Sequence, residues 1–268
     1  MSYELAVLDL DGTLIPEKGA LDPDFSRACH RAMARGFRLT IATGRMPQAT
    51  QPYLDALRVV EPAIFYNGAL LRDVAGRKDL LSLLLPTGLA EEAAQVFRLV
   101  PVDPLFYRED RLFCFEPTPP IRDYCEEEDL SVEIIDDPQR FLRGPLIKIL
   151  LIGDPGVLYD LRRGLVPLCG SRARLVNSRP YYLEILPRHA SKGAALRELA
   201  RYLRIPIERV IAAGDQENDI ELIREAGFGI AMPHSPDTVK AVADRVAPSH
   251  AEGGLLSLFR EILPEYFA

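Results

Sequence analysis

Apolar runs and amphipathic stretches alternate along the first eighty residues. "ELAVLDL" (4–10) has the continuous apolar character of a buried strand. "LDPDFSRACHRAMARG" (21–36) reads as a helix, with Asp22 as N-cap, Pro23 in the first helical position and Gly36 as the stop. "FRLTIAT" (37–43) is a second strand, residues 46–58 a second helix and "AIFYNG" (63–68) a third strand. Nearly continuous apolar strands separated by helices predict a parallel sheet covered on both faces. Short runs around "DVAGR" predict a hairpin over 69–84.

The texture changes after that. Between about residues 86 and 180, helices are expected over 87–100 and 155–167, with a third near "IRDYCEEED" (121–129). Strand-like runs stand at "RLFCF", "VEIID", "LIKILLIG" and "RARLVNS", and "EPTPP" reads as a turn. This pattern is α+β. From "YYLEILP" (181–187) onward the α/β alternation is expected to resume: a helix from Ser191 as N-cap, a strand "RVIAAGD", a helix "ENDIELIREAG", a strand "FGIAM", a helix capped by Ser235, and a last helix over 254–262. The predicted fold class is α/β, a Rossmann-like parallel core with an inserted α+β domain. The core spans 1–84 and 181–268 and the insert 85–180.

Composition narrows the partners. The 268 residues are 48% hydrophobic and carry a net charge of −7, which disfavours a nucleic-acid partner. No apolar run approaches the ~20 residues of a membrane-spanning helix, and the N-terminus lacks the pattern of a signal peptide. Cys29, Cys114, Cys125 and Cys169 are scattered with no C-x-x-C pair, which points to reduced thiols and a cytoplasmic protein.

Three polar features fall where strands end and helices begin, the edge where open parallel sheets bind ligands. They are Asp9 and Asp11 in "DLDGTL", Thr43 and Gly44 in "TIATGR", and Asp215, Asn218 and Asp219 in "GDQEND". Lys192 heads the helix just before the last of them. On a continued strand, Asp9 and Asp11 would share a face, and like charges ~6 Å apart cost about 3 kcal/mol at an effective dielectric of 20. A cation, a proton or full exposure must offset that. A calcium loop fits poorly, since Thr13 and Ala20 stand at its fifth and twelfth positions. Each feature has an ordinary structural reading, whether turn, cap or solvated lysine, and "GDPG" (153–156) is best read as an N-cap followed by proline. Together they supply the parts of phosphoryl transfer: a nucleophilic carboxylate, an acid/base, oxygen ligands for magnesium, and donors for phosphoryl oxygens.

In this order, "DLDGTL", "TIATGR", "SKG" and "GDQEND" resemble the four motifs of the haloacid dehalogenase-like phosphohydrolases, and the insert resembles the C2 cap of the Cof-type subgroup. The resemblance implies a Mg2+-dependent phosphomonoester hydrolase of small phosphorylated metabolites such as sugar phosphates, working through an aspartyl-phosphate, with the insert as lid. It implies Asp9 as nucleophile and metal ligand, and Asp11 as acid/base with its main-chain carbonyl on the metal. Asp215 would be the further metal carboxylate. Thr43 and the amides of Leu10 and Gly44 would bind the phosphoryl group, with Asn218 reaching it. Lys192 would neutralise nucleophile and phosphate, and Asp219 would orient Lys192 or a metal-bound water. Arg45 and "YNG" (66–68) fit the subgroup, Arg45 with no catalytic role assigned. The chain departs from the family pattern at His189, Gln216, His234 and His250, which leaves the substrate open. Arg108, Arg111, Arg179 and Tyr181 are candidates for cap contacts, and "EEED" (126–129) reads as a solvated helix face. A phosphomutase on the same core, and a phospho-accepting or sugar-phosphate-binding regulator, are the alternatives. A built-in acid/base and a lid argue against the regulator.

Overall fold

A computed structural model describes residues 2–16, 20–249 and 252–268. Among them no helix is long and apolar enough to cross a membrane. The chain forms two compact units, one of residues 1–45, 50–81 and 191–268 and one of residues 46–49 and 82–190. In chain order, the elements up to the insert are β1 (Leu5–Leu8), α1 (Pro23–Ala34), β2 (Arg38–Ile41), α2 (Pro47–Leu57), β3 (Ala63–Phe65), β4 (Leu70–Asp73) and β5 (Lys78–Ser82). The insert holds α3 (Leu89–Phe97), β6 (Val102–Arg108), β7 (Arg111–Cys114), α4 (Pro119–Glu127), β8 (Val132–Ile134), α5 (Pro138–Leu142), β9 (Lys148–Gly153), α6 (Pro155–Cys169), β10 (Ala173–Arg179) and β11 (Tyr182–Pro187). The remainder is α7 (Lys192–Leu203), β12 (Val210–Gly214), α8 (Ile220–Glu225), β13 (Phe228–Ala231), α9 (Asp237–Lys240), β14 (Arg245–Val246), α10 (Gly254–Ile262) and α11 (Pro264–Phe267).

The first unit is built on a parallel sheet of order β14-β13-β12-β1-β2. β3 joins it through a parallel bridge between Ala42 and Ile64, and β3, β4 and β5 form the expected hairpin sheet. All four residues of β1 are buried, because the sheet is covered on both faces. Leu5 and Val7 pack with Leu196 and Leu199 of α7 and Leu222 of α8. Elsewhere in this unit Phe25 of α1, Phe259 of α10 and Phe267 of α11 stack with one another and with Phe37. Caps act where the sequence places them: Asp22 accepts from Asp24 N–H at 2.8 Å, and Ser191 accepts from Ala194 N–H at 3.0 Å. Ser235 does not cap α9. Its buried hydroxyl accepts from Met232 N–H at 3.1 Å and so closes the preceding turn.

The second unit holds a largely antiparallel sheet of order β10-β11-β9-β6-β7-β8, with β7 and β8 parallel. Phe106, Ile149 and Ile185 pack with Ala93 and Phe97 of α3 and Leu158 and Leu161 of α6. Three sequence readings change here. The stretch 181–187 does not resume the core pattern: β11 pairs with β10 and β9, because the β10 run simply turns back on itself. The strand β6 has no sequence signal, since Pro104 argues against a central strand, yet it pairs with β9 over six residues and with β7 over four. Glu128 is buried rather than solvated. It follows Ile121, Tyr124 and Cys125 at helical spacing on the inward face of α4. Asp154 caps α6 as expected. All four cysteines are buried and free.

Candidate active site

The parallel register carries the first, second and fourth motifs to one edge. Leu8 pairs with Ala213 on one side and Ile41 on the other. Asp9 N–H donates to Ala213 C=O, and Ala42 N–H to Leu8 C=O, both at 2.9 Å. Asp9, Thr43 and Asp215 therefore leave the sheet together. Lys192 is the first residue of α7 and only 1% exposed, and its ammonium lies 2.5 Å from Asp9 Oδ1 and 2.6 Å from Asp219 Oδ1. Carboxylate oxygens of Asp9, Asp215 and Asp219 lie within 4.8 Å of one another.

Three buried carboxylates face one ammonium, so the cluster lacks two positive charges, the charge of one divalent cation. Burial, then the charge of Asp219, holds the Asp9 carboxyl well above the usual carboxylate range, and Lys192 offsets this only in part. Burial and Asp219 likewise raise Asp215. Burial pulls Lys192 down, but Asp219 and Asp9 outweigh it and its pKa stands above the ordinary value. An all-oxygen donor set in a site short of positive charge fits a hard cation such as magnesium. The backbone leaves room for the Asp215 carboxylate. Gly12 has φ +82°, and a Cβ there would stand 2.2 Å from Asp215 Oδ2.

Asp9 and Asp215 are the carboxylates that could hold such a cation, Asp9 through the oxygen not given to Lys192. Both oxygens of Asp219 are committed, Oδ1 to Lys192 and Oδ2 to the N–H groups of Asp215 (3.0 Å) and Gln216 (3.1 Å). Asp219 therefore braces the lysine and the Asp215 loop. Asp11 departs from the geometry assumed for a continued strand. The strand ends at Leu8, the chain turns, and the Asp11 carboxylate accepts from Arg45 Nε at 2.8 Å and Nη2 at 2.6 Å. The offset to its charge is thus an arginine, and its carboxylate stands outside the acidic cluster.

Of the remaining expected residues, Thr43, Gly44 and Asn218 form a second linked group through Asn67. Leu10 is buried in the turn after Asp9, where its carbonyl accepts from Leu14 and Ile15. Thr43 is fully buried, and its hydroxyl accepts from Arg45 N–H at 3.1 Å. A Cβ on Gly44 would lie 3.1 Å from the Asn67 amide, and Asn218 Nδ2 donates to Asn67 Oδ1 at 2.9 Å. Sequence reasoning missed several contacts. Gln216 Nε2 and His234 Nε2 reach Asp215 Oδ2 at 3.0 and 3.3 Å, and Thr13 donates weakly to Oδ1 at 3.4 Å. Gln216 and His234 already stood out as departures from the family pattern, the one available signal. His189 is exposed, and His250 lies outside the described residues. Among the cap candidates, Arg111 and Arg179 pair with Glu133 and Glu127, Arg108 donates to the carbonyls of Pro145 and Phe141, and Tyr181 is exposed.

The model of the family described as haloacid dehalogenase-like hydrolase matches residues 6–259. The HMP-PP phosphatase of Escherichia coli O6:H1 is 30% identical over 241 residues, covering 88% of this chain and 86% of that protein. The 5-amino-6-(5-phospho-D-ribitylamino)uracil phosphatase YitU of Bacillus subtilis is 26% identical, covering 98% of this chain and 97% of that one. A solved haloacid dehalogenase-like hydrolase from Bacteroides thetaiotaomicron superposes with a TM-score of 0.89 at 26% identity, over 98% of this chain and all of that one.

Proposed function

This chain belongs to the haloacid dehalogenase-like hydrolases, and we propose that within that family it is a Mg2+-dependent phosphomonoester hydrolase of small phosphorylated metabolites, sugar phosphates first among them. The observation that carries the reading is the buried Asp9–Lys192–Asp219 bridge beside Asp215, at the carboxyl edge of the sheet. The names of the relatives, both phosphatases of small phosphorylated compounds, support the substrate class. Four free thiols support a cytoplasmic setting. We assign selection of the organic part of the substrate to the inserted domain, which runs past residue 180 to include β11.

In this reading an Asp9 carboxylate oxygen attacks phosphorus as the ester P–O bond breaks. Asp11 gives a proton to the leaving oxygen and then takes one from the water that attacks the aspartyl-phosphate, releasing inorganic phosphate and restoring Asp9. To do so Asp11 exchanges at least one of its two Arg45 contacts. Thr43, the amides of Leu10 and Gly44, and Asn218 hold phosphoryl oxygens, while Lys192 opposes charge on nucleophile and phosphate. Asp9, Asp215 and the Asp11 carbonyl would hold magnesium, which when bound would supply positive charge against the phosphoryl oxygens.

Release of phosphate from p-nitrophenyl phosphate and from a panel of sugar phosphates tests the reading. Turnover is expected with magnesium, is abolished by chelator, and is lost in Asp9→Asn. Full activity of Asp9→Asn refutes the mechanism. Transfer of the phosphoryl group to a second sugar, with no free phosphate, would identify the mutase instead.

A further inference from the structure

Three consecutive residues after β3 stand in the left-handed region: Tyr66 at φ +51°, Asn67 at +54° and Gly68 at +92°. Glycine adopts this conformation freely and asparagine tolerates it, but a tyrosine there costs about 1–2 kcal/mol. Strain of this kind persists where surrounding contacts over-determine it. The contacts here run to three different motifs. Tyr66 N–H donates to Arg45 C=O at 3.1 Å, and Asn67 N–H to Thr43 C=O at 3.0 Å, so the segment holds the threonine loop. Gly68 lies against the head of α7, where a Cβ would stand 2.1 Å from Ser191 O and 2.9 Å from Lys192 N. The Asn67 side chain, 3% exposed, fills the space over Gly44 and accepts from Asn218 Nδ2.

Asn218 has no other side-chain anchor among the described residues, since its Oδ1 is buried without a hydrogen-bond partner. We infer that Asn67 is a positioning residue of the phosphoryl site: its amide fixes Asn218 against the Thr43–Gly44 loop, so that donors from two separate motifs converge on one phosphoryl group. The inference rests on the phosphatase reading and assigns it a residue outside the four motifs. Asparagine at 67 has a competing explanation, tolerance of the left-handed backbone alone. The two differ in what the side chain does.

Asn67→Gly separates them, because glycine keeps the backbone conformation and removes the amide. The measurements are melting temperature, kcat/KM for p-nitrophenyl phosphate with magnesium, and the inhibition constant of inorganic phosphate. They are made on wild type, Asn67→Gly, Asn218→Ala and the double variant, with Asn67→Ser completing the cycle should Asn67→Gly not fold. Asn67→Gly is expected to melt within about 3 °C of wild type, since glycine is the residue best suited to φ > 0. It is also expected to lose about tenfold or more in kcat/KM and to bind phosphate correspondingly more weakly, as supporting partners of a site typically do when removed. The double variant is expected to fall no more than about threefold below the worse single one, because residues acting through one another are not additive. Retention of wild-type kcat/KM and phosphate inhibition in Asn67→Gly, or losses that multiply, overturns the inference while leaving the phosphatase reading intact. A wild type that releases no phosphate with magnesium overturns both.

Discussion

Replacing Lys192 by Met keeps the length and apolar body of the side chain and deletes its ammonium. That ammonium touches two carboxylates, Asp9 at 2.5 Å and Asp219 at 2.6 Å, and all three side chains are no more than 6% exposed. Removing one partner of a buried pair costs about 3–5 kcal/mol, because a charge stays buried without compensation. The two pairs share one cation, so their costs are not summed. For a chain of this size, 1 kcal/mol moves the melting temperature by about 2–4 °C, which gives a fall of roughly 6–20 °C in chelator. The loss shrinks as pH falls, because protonation of Asp9, already favoured by burial, discharges the cluster. Magnesium raises the stability of each protein that binds it by RT ln(1 + [Mg]/Kd), about 2.7 kcal/mol at a hundred times Kd, so the comparison is made in chelator. Adding Asp219→Asn removes the second orphaned charge and is expected to restore at least half of the lost stability. Calorimetric melting of the three proteins in chelator at pH 7.5, repeated at pH 5, measures this. A single variant melting within about 2 °C of wild type, or a double variant less stable than the single one, refutes the charge balance drawn here.

Asp215→Asn is expected to flatten the pH dependence of the metal-free protein. The raised native pKa of Asp215 means the folded state holds its proton longer than the unfolded one, so stability is greatest below the ordinary carboxylate range and falls as pH rises through the raised value; melting curves from pH 4 to 8 in chelator check the slope. The same variant is expected to show no magnesium-dependent rise in melting temperature. His234→Ala and Gln216→Ala each remove a donor from Asp215 Oδ2 and are expected to weaken magnesium affinity about tenfold or more, read by thermal shift as well as by activity. Gly12→Ala is expected to abolish turnover, since its Cβ needs the place of the Asp215 carboxylate and its φ of +82° is unfavourable to alanine. Arg45→Ala frees the Asp11 carboxylate from a bidentate pair; kcat is expected to change with the leaving-group pKa more than KM does, checked with a series of aryl phosphates.

Much of the first unit was legible because its signals are local. The apolar run 5–8, the Asp22–Pro23 and Ser191 starts, and the order of the polar motifs depend on neighbours within a few residues. Those signals determined that strands end in carboxylates, a hydroxyl and a lysine-headed helix. They could not determine which oxygen goes where. Asp9 and Asp11 look equivalent in the string, yet the turn after Leu8 sends one toward Lys192 and the other toward Arg45. Asp219 reads like a helix-start residue, and only folding brings its two oxygens to an ammonium 27 positions away and to two loop amides. The insert was read less well. The β6 strand and the true partner of β11 depend on cross-strand pairing, which a proline or an apolar run does not encode by itself. Asn67, Gln216 and His234 belong to the same class: each acts on a residue remote in sequence or turned toward it by a loop, and contact energy in a packed interior depends on distance, not on chain order.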